Sequence, residues 1–438
     1  MADSSLPGDV SVSADPNAPN RSASDISEAL QAPTKNVGVG FSSLFLLANV
    51  VVWLAKFPFT QIILPIQILA FDPNNKLVDL AIITGVGSFF GLIANPVAGA
   101  LSDRTTGRWG RRRPWLVVGG LLSVVALVIL AYAPGITGLL IEWIIYQIVV
   151  NAVLVTLLAT IPDQVPQRQR GTISSFTGLS YPLGLILGTL IVTKIFHTAI
   201  QPSYYVLAAI FIVIILAFAL ILPDKELTKG TLPPINWGKF FASFWISPRR
   251  YPDFAWVWIT RFLLILSSVV VTTYLLYYLQ DTLHLSSSEA ATRATTFNTI
   301  YGITLIVFAV LSGIFSDRIQ RRKIFVMVAG IIVALSMLIL AFVSSFGGVI
   351  VAAVIFGLGY GVYISVDIAL VTEVLPSHGD RGKDMGVFNI ANTLPQVFLP
   401  VIAIVTVSAF HNYTALFLIV AVAALLSGLL ILPIKGAR

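Results

Sequence analysis

Gly99-Ala-Leu-Ser-Asp103-Arg104-Thr-Thr-Gly-Arg108-Trp-Gly110-Arg111-Arg112-Arg113-Pro114-Trp115 is a dense run of charge in a chain that has little. Apolar runs flank it, 78–101 before and 115–133 after. A shorter copy, Phe315-Ser316-Asp317-Arg318, ends another apolar run 214 positions later. Further landmarks repeat at nearly the same offset. Asp163 answers Glu373, Arg170-Gly171 answers Arg381-Gly382, and Pro182 answers Pro395, at offsets of 210 to 213. A constant offset means that one architectural unit occurs twice, in parallel.

Composition says what the unit is made of. Of 438 residues, 57% are hydrophobic and 11% charged, against about 25% charged in a soluble domain. So few charges cannot cover a 47.3 kDa globule, which excludes a soluble enzyme and a nucleic-acid binder despite a pI near 9.5. Twelve apolar runs follow Gly40: 40–70, 78–101, 115–133, 138–161, 172–196, 204–223, 254–281, 292–315, 324–346, 348–374, 385–410 and 413–433. Each has the ~20 residues that a membrane helix needs. The expectation is an all-α membrane protein of twelve transmembrane helices in two six-helix pseudo-symmetric halves.

Four segments follow. Residues 1–38 are rich in Ser, Asp and Pro without an apolar run and read as a disordered tail. Residues 39–223 form the first bundle, 224–253 a connector, and 254–438 the second bundle. With both termini cytoplasmic, 22 of the 27 Lys and Arg fall on the inner side, as the positive-inside rule requires. The plasma membrane is the expected location, the lipid bilayer the expected environment, and a monomer the expected state. There is no Cys, no His pair at metal-ligand spacing and no Gly-rich nucleotide loop, so no cofactor or metal is expected.

The Arg-rich loop resembles the loop signature of the major facilitator superfamily. Its longer form, Asp103-Arg104 through Arg111-Arg112-Arg113-Pro114, resembles that of sucrose–proton symporters and related glycoside–cation symporters. Asn95-Pro96, Pro162-Asp163 through Arg170-Gly171, Val366-Asp367, and Asn389 through Gln396 add to the likeness. The resemblance implies alternating access around a central site. It also implies gating by cytoplasmic charge clusters: Asp103, Arg104, Arg111, Arg112, Asp163 and Arg170 in one half, Asp317, Arg318, Glu373 and Arg381 in the other. The chain departs from plant sucrose symporters at Gln147 and Leu158, where those carry an acid and an Arg.

Four ionisable residues lie within runs: Lys56, Glu142, Arg261 and Asp367. A charge at the bilayer centre costs at least ~2.5–3.5 kcal/mol, so each needs a partner or a wet cavity. Arg261 and Asp367 fall at similar depth and are expected to pair, with Asp367, Glu142 and Arg261 as candidates for proton coupling. Asn49, Trp53, Lys56, Thr60 and Gln67 follow helical spacing, as one face of the first run. With Gln147, Asn151, Asn298, Tyr360, Tyr363, Asn389, Asn392 and Gln396 they suit a polyol, since amides and hydroxyls both donate and accept. The expected function is proton-coupled symport of a sugar or glycoside. Efflux of a drug or anionic metabolite is the alternative, and a polytopic membrane enzyme a distant one.

Overall fold

The computed structural model describes residues 33–228, 235–242, 244, 246–319, 321–374, 381–410 and 413–434. Among them the architecture is all-α. The first half holds α1 (Val39–Leu54), α2 (Leu64–Phe71), α3 (Lys76–Asp103), α4 (Arg113–Leu130), α5 (Ile136–Gln164), α6 (Gln167–Leu190) and α7 (Ile200–Ile221). A short α8 (Trp237–Ala242) lies in the connector. The second half holds α9 (Pro252–Leu283), α10 (Ser287–Ile319), α11 (Arg322–Phe342), α12 (Phe346–Val374), α13 (Arg381–Phe410) and α14 (Thr414–Leu429). Ten helical runs are long and apolar enough to cross a membrane, and shorter apolar stretches at Ile390–Thr406 and Thr414–Leu429 match the last two runs of the sequence.

The outer surface confirms the solvent. On α4, Val118, Leu121, Leu122, Val125 and Ile129 are exposed, and on α11 so are Ile331, Leu335, Leu338 and Phe342. These follow helical spacing. A water-soluble bundle turns such stripes inward; here they point out, as lipid requires.

Small residues set the helix crossings. A Cβ on Gly357 or Gly361 of α12 would lie 2.6 Å from the carbonyl oxygens of Tyr301 or Leu305 on α10. Gly330 of α11 and Gly428 of α14 meet in the same way. Without a hydrophobic drive inside lipid, such close backbone approach is what holds helices together.

The first run is not one helix. The α-helix stops at Leu54, Pro58 follows, and Phe59–Ile63 winds as a π-helical turn before α2. Pro58 has no N–H to give, so the ladder breaks there. The Tyr146 hydroxyl of α5 donates to the carbonyl of Ala55. Gly184 and Gly188 of α6 fit the break, against Trp53 Cβ and Pro58 Cγ respectively. The expected single polar face across Asn49 to Gln67 is therefore corrected, because the π-turn re-aims everything beyond Pro58.

Within the halves α3 packs on α5, α1 on α6, α10 on α12, and α11 on α14. Between them α3 meets α13, α6 meets α10, and α9 meets the π-turn. These cross-half seams enclose the site.

Candidate functional site

At the centre, the Trp53 ring stacks on Phe57 at 5.4 Å, and Tyr181 of α6 packs edge-on against both. The Lys56 ammonium lies 5.6 Å from the Trp53 ring centroid. Among the described residues it pairs with no carboxylate. Tyr181 reaches the second half, where its hydroxyl neighbours those of Ser268, Tyr301 and Tyr360. Tyr301 stacks on Phe356 at 4.7 Å, and its hydroxyl is fully buried. This aromatic and hydroxyl lining draws on α1, α6, α9, α10 and α12.

Closer to the end of the molecule that carries the Arg-rich loop lies the one intramembrane ion pair among the described residues. Arg261 pairs with Asp367 Oδ2. The Tyr363 hydroxyl donates to Asp367 Oδ1 at 2.7 Å, and Arg261 Nε donates to Asn392 Oδ1 at 2.8 Å. Arg261 is 8% exposed and Asp367 5%. Taking each ion out of water costs several kcal/mol, which pairing and the extra hydrogen bonds must offset. The expected pair is therefore present. Glu142 does not join it. It sits on α5 beside Tyr204, roughly 33 Å from the Arg-rich end of that helix, with Oε2 unpartnered.

Further contacts between the halves lie at the other end. Lys76 of α3 pairs with Asp281 of α9 at 2.5 Å and lies 5.1 Å from the Tyr277 ring. Asp281 also accepts from the Tyr413 hydroxyl at 2.8 Å, and Tyr277 donates to the carbonyl of Pro65 at 2.8 Å. Deeper in, Asn298 donates to Gln61 Oε1 at 2.6 Å and Ser88 donates to Gln396 Oε1 at 3.1 Å. Among the described residues, these contacts close the centre at the Lys76 end. On α6 the opposite end is different: Gly171, Thr172, Ser174, Ser175 and Gly178 are exposed.

At the Arg-rich end, Arg112 pairs with Asp103 and, at 2.7 Å, with Asp163. Arg111 pairs with Asp163 at 2.9 Å. Burial alone would lower Arg112, but Asp163 and Asp103 outweigh it and push its pKa up, so it keeps its proton. Asp224, just past α7, accepts from the backbone N–H of Arg112 and Arg113 at 2.6 and 2.8 Å. Its carboxylate presses on Gly110, whose φ of +86° and missing side chain make room. Arg170 donates to the carbonyls of Val165 and Pro162, and Arg104 to that of Ala100. The carboxylates that hold Arg111 and Arg112 all belong to the first half, so this cluster braces α3, α4, α5 and α7. Arg318 is exposed; the side chains of Asp317, Glu373 and Arg381 lie outside the described residues, as does that of Asn389.

Several expected lining residues have local partners. Asn49 donates to the Phe45 carbonyl at 2.9 Å. Gln67 donates to the Leu130 carbonyl and accepts from Tyr204 inside the first half. Asn151 donates to the Gln147 carbonyl at 2.6 Å, and both pack on Gly87 and Gly91 of α3. Trp53, Lys56, Asn298, Tyr360, Tyr363, Asn392 and Gln396 lie at the centre or on the seams. Gln61, Tyr181, Ser268 and the Lys76–Asp281 pair were not singled out as site residues from sequence. The two prolines around Gln61 were the available signal for a register change there.

Comparison with known proteins agrees with the fold. The family model of the Major Facilitator Superfamily matches residues 41–298 and 257–437. The chain is similar to the general alpha-glucoside permease of Schizosaccharomyces pombe, 32% identical over 127 residues, 25% of this chain and 23% of that protein. It is similar to sucrose transport protein SUT1 of Oryza sativa subsp. japonica, 38% identical over 50 residues, 11% of this chain and 9% of the relative. A lactose permease of Leuconostoc lactis is 39% identical over 67 residues, 15% of this chain and 10% of the relative. The chain thus spans less than a quarter of the length of each of these relatives.

Proposed function

We propose that this chain, which belongs to the major facilitator superfamily, is a proton-coupled symporter of a sugar or glycoside. The observation that carries this reading is the Arg261–Asp367 pair beside a centre lined by Trp53, Tyr181, Tyr301 and Tyr360. Aromatic faces suit the apolar faces of a sugar ring, and the hydroxyls and amides around them suit its hydroxyl groups. The sugars in the names of the similar proteins support the same class.

The residues suggest how a proton could be used. Asp367 as carboxylate holds Arg261. A proton on Asp367 removes that attraction and leaves Arg261 to Asn392, which already accepts from it. A bistable pair of this kind couples proton binding to a rearrangement of α9, α12 and α13. The moving units are the bundles 39–223 and 254–438, joined by the connector 224–253. The Arg-rich end faces the cytoplasm, with both termini there, and the membrane is the plasma membrane. The protein works as a monomer. Asp103, Arg104, Arg111, Arg112, Asp163 and Arg170, with Asp317, Arg318, Glu373 and Arg381 opposite, gate this end in the state that faces outward.

One observation favours a second reading. Among the described residues Lys56 has no carboxylate partner, which suits an anionic cargo, imported or exported. Sugar-stimulated alkalinisation of the medium around expressing cells tests the first reading. No response across a panel of neutral and acidic sugars would overturn it.

A further inference from the structure

The connector leaves α7 after Ile221 and enters α9 at Pro252, so it starts and finishes at the Arg-rich end of the molecule. In it, Trp237, Phe240, Phe241 and Phe244 follow the spacing of one helical face, over α8 and the turn after it. Trp237 stacks on Phe241 at 6.1 Å, and Phe240 meets Phe244 edge-on at 5.3 Å. Phe244 and Ile246 pack against the core, which fastens the segment to the bundle. Trp237 and Phe241 instead stay 40% and 49% exposed. Gly238 and Ala242, on the other side of α8, are exposed as well. The helix thus has two open sides, one aromatic and one of small residues.

The surroundings say what covers the aromatic side. Leu220 and Ile221, at the end of α7, are exposed where that helix leaves the bilayer. Arg249 and Arg250 are exposed just before α9 enters it again. On the adjoining loop Arg108 and Trp109 are exposed too, and Asp224 ties the connector to that loop. Twice at one end of the molecule, exposed arginine accompanies an exposed indole. Indole rings favour the headgroup level of a bilayer, and basic side chains favour anionic lipid there. Two exposed rings fall well short of the ~800 Å² per partner that a stable protein interface buries. The connector 224–253 also holds five basic residues against three acidic ones, the sign that anionic headgroups attract.

We propose that α8 lies in the headgroup layer of the leaflet at the Arg-rich end, with Trp237 and Phe241 turned into the lipid. Arg249 and Arg250 hold anionic headgroups beside it. The connector is then a second membrane attachment between the two bundles rather than a strand of chain in water. This surface is remote from the centre, and the proposal stands whatever the cargo is.

The chain has no native Cys, so a nitroxide on a single introduced cysteine reports its own surroundings. The full-length protein carries Phe241→Cys or Ala242→Cys and sits in nanodiscs of phosphatidylcholine, with or without phosphatidylglycerol. Both positions are exposed, so burial by the protein does not separate them. The label in Phe241→Cys should meet oxygen dissolved in lipid more than a water-soluble nickel chelate, and the label in Ala242→Cys the reverse. Trp237→Cys, which keeps Phe241, should repeat the first result. Phosphatidylglycerol should lower nickel access in Phe241→Cys by up to roughly fivefold per engaged arginine. Adding Arg249→Gln and Arg250→Gln should remove that dependence on lipid charge. Size-exclusion chromatography checks that each labelled variant is folded. Equal nickel access in Phe241→Cys and Ala242→Cys would place α8 in water and overturn the proposal. So would low access to both oxygen and nickel in Phe241→Cys, which means that protein covers the rings. An unchanged result with phosphatidylglycerol overturns the assignment to anionic lipid.

Discussion

The two oxygens of Asp367 have different partners: Oδ2 meets Arg261, and Oδ1 accepts from Tyr363. Replacing the acid by its amide keeps the shape and removes the titratable charge. Asp367→Asn should therefore abolish sugar accumulation driven by a pH gradient while leaving counterflow exchange, in which no net proton moves. Arg261→Ala acts differently, because it strands a buried carboxylate at a cost of about 3–5 kcal/mol. It should lower the thermal unfolding temperature in detergent more than Arg261→Met combined with Asp367→Leu, which removes both charges. Equal losses would argue that the pair is not buried as described. The pairing itself was legible in the sequence, since two opposite charges at one depth in two apolar runs have few other ways to be stable. The hydrogen bonds that orient it were less legible. Asn392 and Tyr363 were expected to meet cargo, and the structure bonds them to Arg261 and Asp367.

At the scale of an element, glycines separate tight crossings from open faces. Gly357→Val should destabilise by about 1–3 kcal/mol, because a side chain there meets a backbone carbonyl and adjoining backbone of α10, which cannot swing away. Gly178→Ala has nothing within 4 Å and sits in a helix interior, so it should be neutral or stabilising by up to about 1 kcal/mol. Thermal unfolding of both variants checks the contrast. The helices could be read from apolar length, and their repeat from the constant offset of landmarks such as Asp103 and Asp317. The first one could not be read in full. Periodicity assumes a constant turn, and the π-turn after Pro58 inserts a residue's worth of rotation that spacing does not encode. Gln61 faces Asn298 as a result, while Gln67 turns into the first bundle. Asp224 was missed for another reason: its partners are backbone N–H groups over 100 positions away, which leave no side-chain signature.

For the whole molecule, the contact between halves at the Lys76 end is what alternating access must break. Lys76–Asp281 spans 205 positions, so nothing local announced it. Both side chains are partly exposed, and such a pair is worth ~0–1 kcal/mol, enough to shift a two-state equilibrium by up to roughly fivefold. Lys76→Gln should shift the protein away from the state sealed at that end. The chain has no native Cys, so one introduced at the exposed Ser174 reports this cleanly. Its alkylation by a water-soluble maleimide should slow in Lys76→Gln, and an unchanged rate would mean that the pair does not hold the seal.

Coupling is the central claim, and sugar-dependent proton movement reads it directly. Proteoliposomes holding a pH-sensitive dye are given sugar with no imposed gradient. Wild-type protein should acidify the lumen when sugar is added, and Asp367→Asn should not, although it still exchanges sugar. Sugar entry without proton movement in the wild type, or unchanged acidification in Asp367→Asn, would contradict the assignment.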